Sequence, residues 1–376
     1  MLLFTPFLDK PEVTYPKYPE IASSLVTAFG ILFTKGSTSQ FIEHSRKFLK
    51  LLDGHISRTS AEWKVQGPEV ASSLIAGLLD FGTESDHPQK DTNYLWKLLK
   101  AHIETVKSPQ DINQEPRDDH VVEYKAPGNV SANFILDRKR METIRQEYWT
   151  GISQDVTKDI RAGGPINKDQ TPKFGSSDQI IREVLPFWSE ATSIIASKVG
   201  DRNIIPYLHV TLAFLWSLSF APGALIYIEA YVPWSKLTMF LNTLGRSSVS
   251  DTQVESTVFP DSSSGVGRQL PEDFPMRGLI WAEFYYPTDF FTKNIVDEDE
   301  RTLELPSHVA PRAERCLWLG VRLATLGRYI KYDYKTKEFT TTKLAQALEG
   351  SEEFPDSGSP DSTDESEFGA VMVQSA

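Results

Sequence analysis

Between Ile204 and Ile228 the chain carries no Asp, Glu, Lys or Arg, and this stretch, IIPYLHVTLAFLWSLSFAPGALIYI, constrains the fold more than any other. From Pro206 to Phe220 its apolar side chains fall on every side of a helical wheel, so the helix they form has to be enclosed. An uncharged run of this length is long enough to cross a bilayer. His209, Ser217, Ser219 and the Pro222-Gly223 break argue against a membrane span, and no cluster of Lys or Arg flanks the run to orient one. Enclosure by protein is the expectation. Pro206 suits a first helical turn, and Pro222 with Gly223 separates a second helix. A third helix begins near Trp234, after Pro233, with Leu237, Phe240, Leu241 and Leu244 at helical spacing. Leu208, Leu212, Leu215 and Trp216 are expected to pack the central helix, and Pro233 and Trp234 to set the turn into the third.

The flanking sequence extends this all-α reading. Residues 1–19, with Pro6, Pro11, Pro16 and Pro19, suit an extended lead-in. Over 20–107 four helices are expected: Glu20 to Phe33, ended by Gly36; a second through Phe41, Phe48, Leu51, Leu52 and Ile56; a third starting at Pro68 and closing at Gly82; and a fourth from Asn93 to Val106. Short polar joints between them suggest an antiparallel bundle or a solenoid-like stack of helical hairpins. Residues 108–176 read as a flexible insertion, rich in Pro and charge, with one helix from Asn133 to Trp149. Helices resume from Ser177 to Lys198, and Ser247 to Gln269 reads as a Ser-rich loop. The block LPEDFPMRGLIWAEFYYPTDFF, Leu270 to Phe291, predicts a helix capped by Asp273 and stopped by Pro287. Within it Arg277 is placed to pair with Asp273 or to stack on Trp281. A helix from Pro311 to Tyr329 follows, then an alternation over Ile330 to Thr342 compatible with a small β-hairpin, and a last turn from Leu344 to Leu348. Residues 349–376 are acidic and rich in Ser, Pro and Asp, and are expected to be disordered.

Charge narrows the function classes. The net charge is −12, and the eight acids after Lys343 account for all but −4 of it. That balance does not fit a protein held to nucleic acid mainly through phosphates. The basic cluster Asp137-Arg138-Lys139-Arg140 reads as a solvated helix face. The amino terminus lacks the basic start and apolar run of a signal peptide. A single cysteine, Cys316, lies in the apolar run CLWLGV and reads as a buried structural thiol. No Gly-x-Ser-x-Gly elbow occurs, Gly163 to Lys168 lacks the ending of a phosphate loop, and Gly265-Val266-Gly267 lacks the third glycine of a dinucleotide site. The seven histidines show no zinc-helix spacing. His209 reads as a hydrogen-bonded core histidine, and Asp297-Glu298-Asp299-Glu300 as an exposed acidic loop with no calcium-loop context. No catalytic residue, cofactor or metal is expected.

IIPYLHVTLAFLWSLS, VPWSKLTMFLNTL and LPEDFPMRGLIWAEFYYPTDFF, in that order with a variable loop between them, resemble the Est-type DNA/RNA-binding domain. This is the helical domain of the fungal telomerase-activating Est proteins and of the SMG factors of nonsense-mediated mRNA decay. CLWLGVRLATLGRYIKYD is similar to the fungal members. The resemblance covers Ser177 to Asp333, and more weakly Pro19 to Val106. It implies an α-helical hairpin domain over 177–348 that normally follows a 14-3-3-like tetratricopeptide module, of which this chain holds only part. One branch adds a PIN nuclease domain. No alternation of strands and helices follows Thr342 here, so nuclease activity is not expected. The implied role is a non-catalytic scaffold, nuclear or cytoplasmic, holding protein partners of telomerase or decay complexes. Direct binding of single-stranded RNA or telomeric DNA is the alternative.

Overall fold

Every residue from Pro206 to Leu218 is buried, as a helix apolar on all sides requires. The computed structural model describes residues 20–82, 93–107, 136–153, 177–247, 249–260, 268–287, 290–292 and 296–350. Its helices are α1 (Glu20–Phe33), α2 (Thr38–Thr59), α3 (Trp63–Leu78), α4 (Tyr94–Val106), α5 (Arg138–Ser153), α6 (Ser177–Ala196), α7 (Ile205–Leu218), α8 (Ala224–Ile228), α9 (Trp234–Thr243), α10 (Asp251–Glu255), α11 (Asp273–Met276), α12 (Val309–Ala324) and α13 (Lys343–Gly350). One antiparallel hairpin, β1 (Ile330–Asp333) and β2 (Glu338–Thr341), pairs Tyr332 with Phe339. The chain is therefore all-α with a small carboxy-terminal hairpin. The proposed lead-in, the ends of the insertion and the acidic tail beyond Gly350 lie outside the described residues.

The central helix α7 is sealed by α3 on one side and α12 on another, with α6, α8 and the turn at Ile280–Phe284 completing the wall. Residues of 20–107 and of 177–348 belong to one hydrophobic cluster. Two hydroxyls on α7 are satisfied within the helix: Thr211 donates to the Tyr207 carbonyl at 3.1 Å and Ser217 to the Ala213 carbonyl at 2.8 Å. Among the described residues no helix is long and apolar enough to cross a membrane.

Several boundaries follow local chemistry. Gly223, at φ +82°, turns the chain between α7 and α8. Asn93 clips α3 to α4: its amide donates to the Leu78 carbonyl at 2.8 Å, and its oxygen caps α4 by accepting from the Trp96 amide at 3.0 Å. Other expectations fail. Pro68 does not open its helix, because α3 begins at Trp63 and carries the proline in its interior. There the Gly67-Pro68 pair faces α7, and a Cβ on Gly67 would lie 3.3 Å from the Tyr207 Cβ, so close crossing and not helix initiation explains these residues. The Leu270–Phe291 block is not one helix either. Gly278, at φ +84°, ends α11 after one turn, and a separate 3-10 turn runs from Ile280 to Phe284. The Ser-rich stretch is also partly ordered: α10 packs on α12, with Val254 buried.

The helix of the insertion, α5, docks across these ends. Arg138 donates to the carbonyls of Glu283, Phe284 and Tyr286, satisfying the unpaired end of the 3-10 turn. This corrects the solvated-face reading for Arg138; Lys139 and Arg140 are exposed. Trp149 donates to the Ser219 carbonyl at 2.8 Å, and the Arg145 guanidinium lies 4.5 Å from the centre of the Trp216 ring.

The hairpin is held by a side chain of α9. The Asn242 carboxamide donates to the Phe339 carbonyl at 2.9 Å and accepts from the Phe339 amide at 2.8 Å. Gly320 of α12 lets both elements approach: an added Cβ would lie 2.8 Å from Leu241 Cδ1 and 3.0 Å from the Phe339 ring. Gly320→Ala is expected to destabilise the fold by about 1–2 kcal/mol, overpacking outweighing the helix-propensity gain of about 1 kcal/mol. Urea unfolding reads this directly, and an unchanged or raised midpoint contradicts it.

Candidate functional site

The adjacent carboxylates Glu272 and Asp273 sit at the start of α11 with no exposed surface. A buried carboxylate requires a compensating charge, and α12 supplies two, one helical turn apart. Arg312 grips Glu272 bidentately, Nε to Oε1 at 2.6 Å and Nη2 to Oε2 at 2.8 Å. Arg315 Nη1 spans both oxygens of Asp273 at 2.7 and 2.9 Å. Asp273 also accepts from the Leu270 amide at 2.7 Å and the Tyr286 hydroxyl at 2.8 Å, which fills its acceptor capacity. The Arg315 guanidinium lies against the rings of Phe259 and Phe290, 4.9 and 5.0 Å from their centres.

From Glu272 a polar line runs inward and outward. Inward, His209 on α7 meets Glu272 Oε1 through Nδ1 at 2.9 Å and the Tyr285 hydroxyl through Nε2 at 2.7 Å. A carboxylate only accepts, so Nδ1 is the donor, and Nε2 is free to accept from the phenol. His209 is thus the hydrogen-bonded core histidine that its position on α7 suggested. Outward, Arg312 reaches the partly exposed Glu304 with bonds of 2.7 and 2.8 Å. Burial pushes the Glu272 carboxyl up, but the Arg312 charge and the bonds from His209 and Arg312 outweigh it and hold the group well below the usual carboxylate range. Burial also raises Glu304, and the bonds from Arg312 and His308 overcome it, bringing the group down to about 2. Burial pushes the Tyr285 phenol and the Cys316 thiol well up, so both remain protonated.

A second ion cluster lies where the chain passes from α12 to β1. Arg328 donates to the Glu229 carboxylate at 2.8 and 3.0 Å, and the Tyr329 hydroxyl to the same group at 2.7 Å. Trp234 donates to the Glu229 carbonyl at 2.9 Å and stacks on Tyr329, ring centres 4.1 Å apart and planes 3° from parallel.

Tyr285, His209 and Glu272 are hydrogen-bonded in series, and the line ends for protons at Arg312, whose guanidinium stays charged. Its inner members are sealed, with His209 and Glu272 at 0% and Tyr285 at 2% exposure, so no substrate reaches the imidazole. The line ties α7, the LPED segment and α12 together. Among the described residues no cluster of His, Cys, Asp and Glu is arranged to hold a metal ion.

The residues singled out in the sequence divide accordingly. Leu208, Leu212, Leu215 and Trp216 are buried on α7; Pro233 precedes α9 and Trp234 is buried at its start. Trp281 is buried against Phe214, ring centres 5.4 Å apart, and not against Arg277. Asp273 is central, but its partner is Arg315. Arg277 is exposed, its guanidinium 5.2 Å from the Phe291 ring: its amide donates to the Asp273 carbonyl at 3.0 Å across one helical turn, but the Asp273 carboxylate is turned inward to Arg315. Arg277→Ala is therefore expected to cost under about 1 kcal/mol, as surface changes usually do; a loss of several kcal/mol on chemical denaturation contradicts this placement. Glu272, Arg312, Arg315, Glu304, Tyr285 and Tyr286 were not singled out. The available signal was a pair of arginines three residues apart on an otherwise apolar helix, downstream of two adjacent acids.

Comparison of the chain with protein-family models, with curated proteins and with solved structures returns no match.

Proposed function

We propose that this chain is a non-catalytic helical scaffold of the Est/SMG kind, holding protein partners in telomere maintenance or mRNA surveillance in the nucleus or cytoplasm. The observation that carries the reading is the mutual consumption of charge inside the LPED block. Its two acids and the two arginines facing them are spent on each other at nearly zero exposure, so they fasten segments and are not offered to a reactant or to a phosphate backbone. The overall charge points the same way, since a chain at −12 repels nucleic acid except at local basic patches.

The test has two arms on the full chain. Purified from cells under a tag, the chain is expected to retain components of one of these two pathways, identified by quantitative mass spectrometry against an unrelated helical control. Titrated with single-stranded RNA and DNA oligonucleotides at several salt concentrations, it is expected to bind no more tightly than about 10⁻⁵ M at physiological salt. Submicromolar oligonucleotide affinity that falls steeply with salt replaces the scaffold reading with direct single-strand binding.

A further inference from the structure

Arg322, near the end of α12, stands apart from the other buried arginines of that helix. Arg312 and Arg315 each hold a carboxylate, whereas Arg322, only 5% exposed, has no carboxylate within ion-pair distance among the described residues. A guanidinium carries five N–H donors. Arg322 donates from Nη2 to the Glu255 carbonyl at 2.9 Å, and its buried Nε–H has no acceptor. A largely desolvated guanidinium with so few partners is costly unless an anion completes it.

Its surroundings sharpen the point. Arg145 of α5 lies close enough to oppose the Arg322 charge, while Tyr334 of the hairpin turn and Glu142 of α5 favour it. Burial is the larger influence, and the Arg322 guanidinium is held below its ordinary range. Glu142 is already engaged by Arg145 through Nε at 3.0 Å and through Nη2. The neighbouring Glu255 carboxylate is taken by Lys337 at 2.5 Å and by the Tyr332 hydroxyl at 3.1 Å. Glu142 is thus bonded by Arg145, whose guanidinium lies 4.5 Å from the centre of the Trp216 ring, and the positive charge of Arg322 is left without a carboxylate bonded to it among the described residues.

We propose that Arg322 and Arg145, with Tyr334 at the rim, bind a small oxyanion, a carboxylate or phosphate group, between α5, α10, α12 and the hairpin turn. One unbalanced charge suits a single anionic group, and the forked donors of Arg match planar or tetrahedral oxygens. Glu142, Glu255 and Asp251 around the site disfavour a polyanion, so a lone acidic group on a ligand fits and a nucleic-acid backbone does not. The site does not depend on the scaffold reading.

The test compares thermal unfolding of the full chain in 50 mM phosphate, acetate and chloride at matched ionic strength and pH 7, for the native chain and for Arg322→Met. Phosphate or acetate is expected to raise the native midpoint over chloride by about 2–4 °C, in the range that mass action gives for millimolar binding. The responding ion identifies the class: phosphate alone assigns a phosphoryl group, and acetate with phosphate assigns any oxyanion. Arg322→Met is expected to be at least as stable as the native chain in chloride, since it removes an uncompensated charge, and to lose the ion-specific rise. Equal midpoints of the native chain in all three salts overturn the site. The same rise in Arg322→Met overturns it by locating the ion elsewhere. A fall of more than about 4 °C for Arg322→Met in chloride overturns it by making the Arg322 bond to Glu255 structural.

Discussion

Glu272→Ala is expected to destabilise the fold by about 3–5 kcal/mol, the usual cost of removing one partner from a buried ion pair. The substitution leaves the buried Arg312 with Glu304 alone and the buried His209 with Tyr285 alone. The expectation is sharpened by the paired change. Glu272→Leu with Arg312→Leu removes both charges and is expected to recover most of the loss, because apolar replacement of an entire buried pair is often neutral. Chemical denaturation of the two variants decides it: a double variant no better than Glu272→Ala would mean that the side chains act through shape and not through charge. The same network sets the acid response. Glu272 and Glu304 are held below their ordinary values in the folded chain, so the unfolded chain binds protons first, and the stability they contribute is present above about 4.5 and lost as pH falls toward 2. His102, which burial lowers to about 4, adds an earlier step: its folded pKa is depressed, so its stability contribution is full above about 6.5 and declines between there and 4. His102→Gln is expected to flatten that upper step and leave the lower one.

Trp234→Ala is expected to cost about 3–5 kcal/mol, as for other fully buried large-to-small changes. Trp234 is 1% exposed, and its loss would open a cavity above Tyr329 and leave the Glu229 carbonyl without the indole donor. Trp234→Phe separates the contributions. It keeps an aromatic face over Tyr329 and forfeits the N–H bond, for a smaller expected cost of about 1–2 kcal/mol. Equal losses in the two variants would show that the stacked contact contributes little.

The parts of the fold visible in the sequence are those written locally. The stripe Ile21, Leu25, Ala28, Phe29 and Leu32 defined α1 to its observed ends, and the unbroken apolar wheel of α7 gave its burial. Pro222-Gly223 marked a real break because a left-handed φ there is a property of a few adjacent atoms. Gly67-Pro68 misled because its role is the approach of α3 to α7, a relation between residues about 140 positions apart. The LPED block misled for the converse reason. The four-residue spacing of Asp273 and Arg277 is kept as one helical turn, the Arg277 amide donating to the Asp273 carbonyl at 3.0 Å, but spacing alone does not tell which way the carboxylate turns. The true partner of Asp273 lies 42 residues on, at Arg315, and only packing brings them together. Alternation from Ile330 to Thr342 was sufficient for the hairpin, but nothing local pointed to the side chain that borders it.

That border has its own consequence. The Asn242 carboxamide presents the same donor and acceptor as a peptide group, so β2 is hydrogen-bonded on both flanks although its sheet has two strands among the described residues. The outer-facing amide of Phe339 should therefore exchange with deuterated solvent as slowly as one from a sheet interior. Its proton is released only when α9 swings off the hairpin, making a single backbone site a reporter of how often this carboxy-terminal corner comes apart.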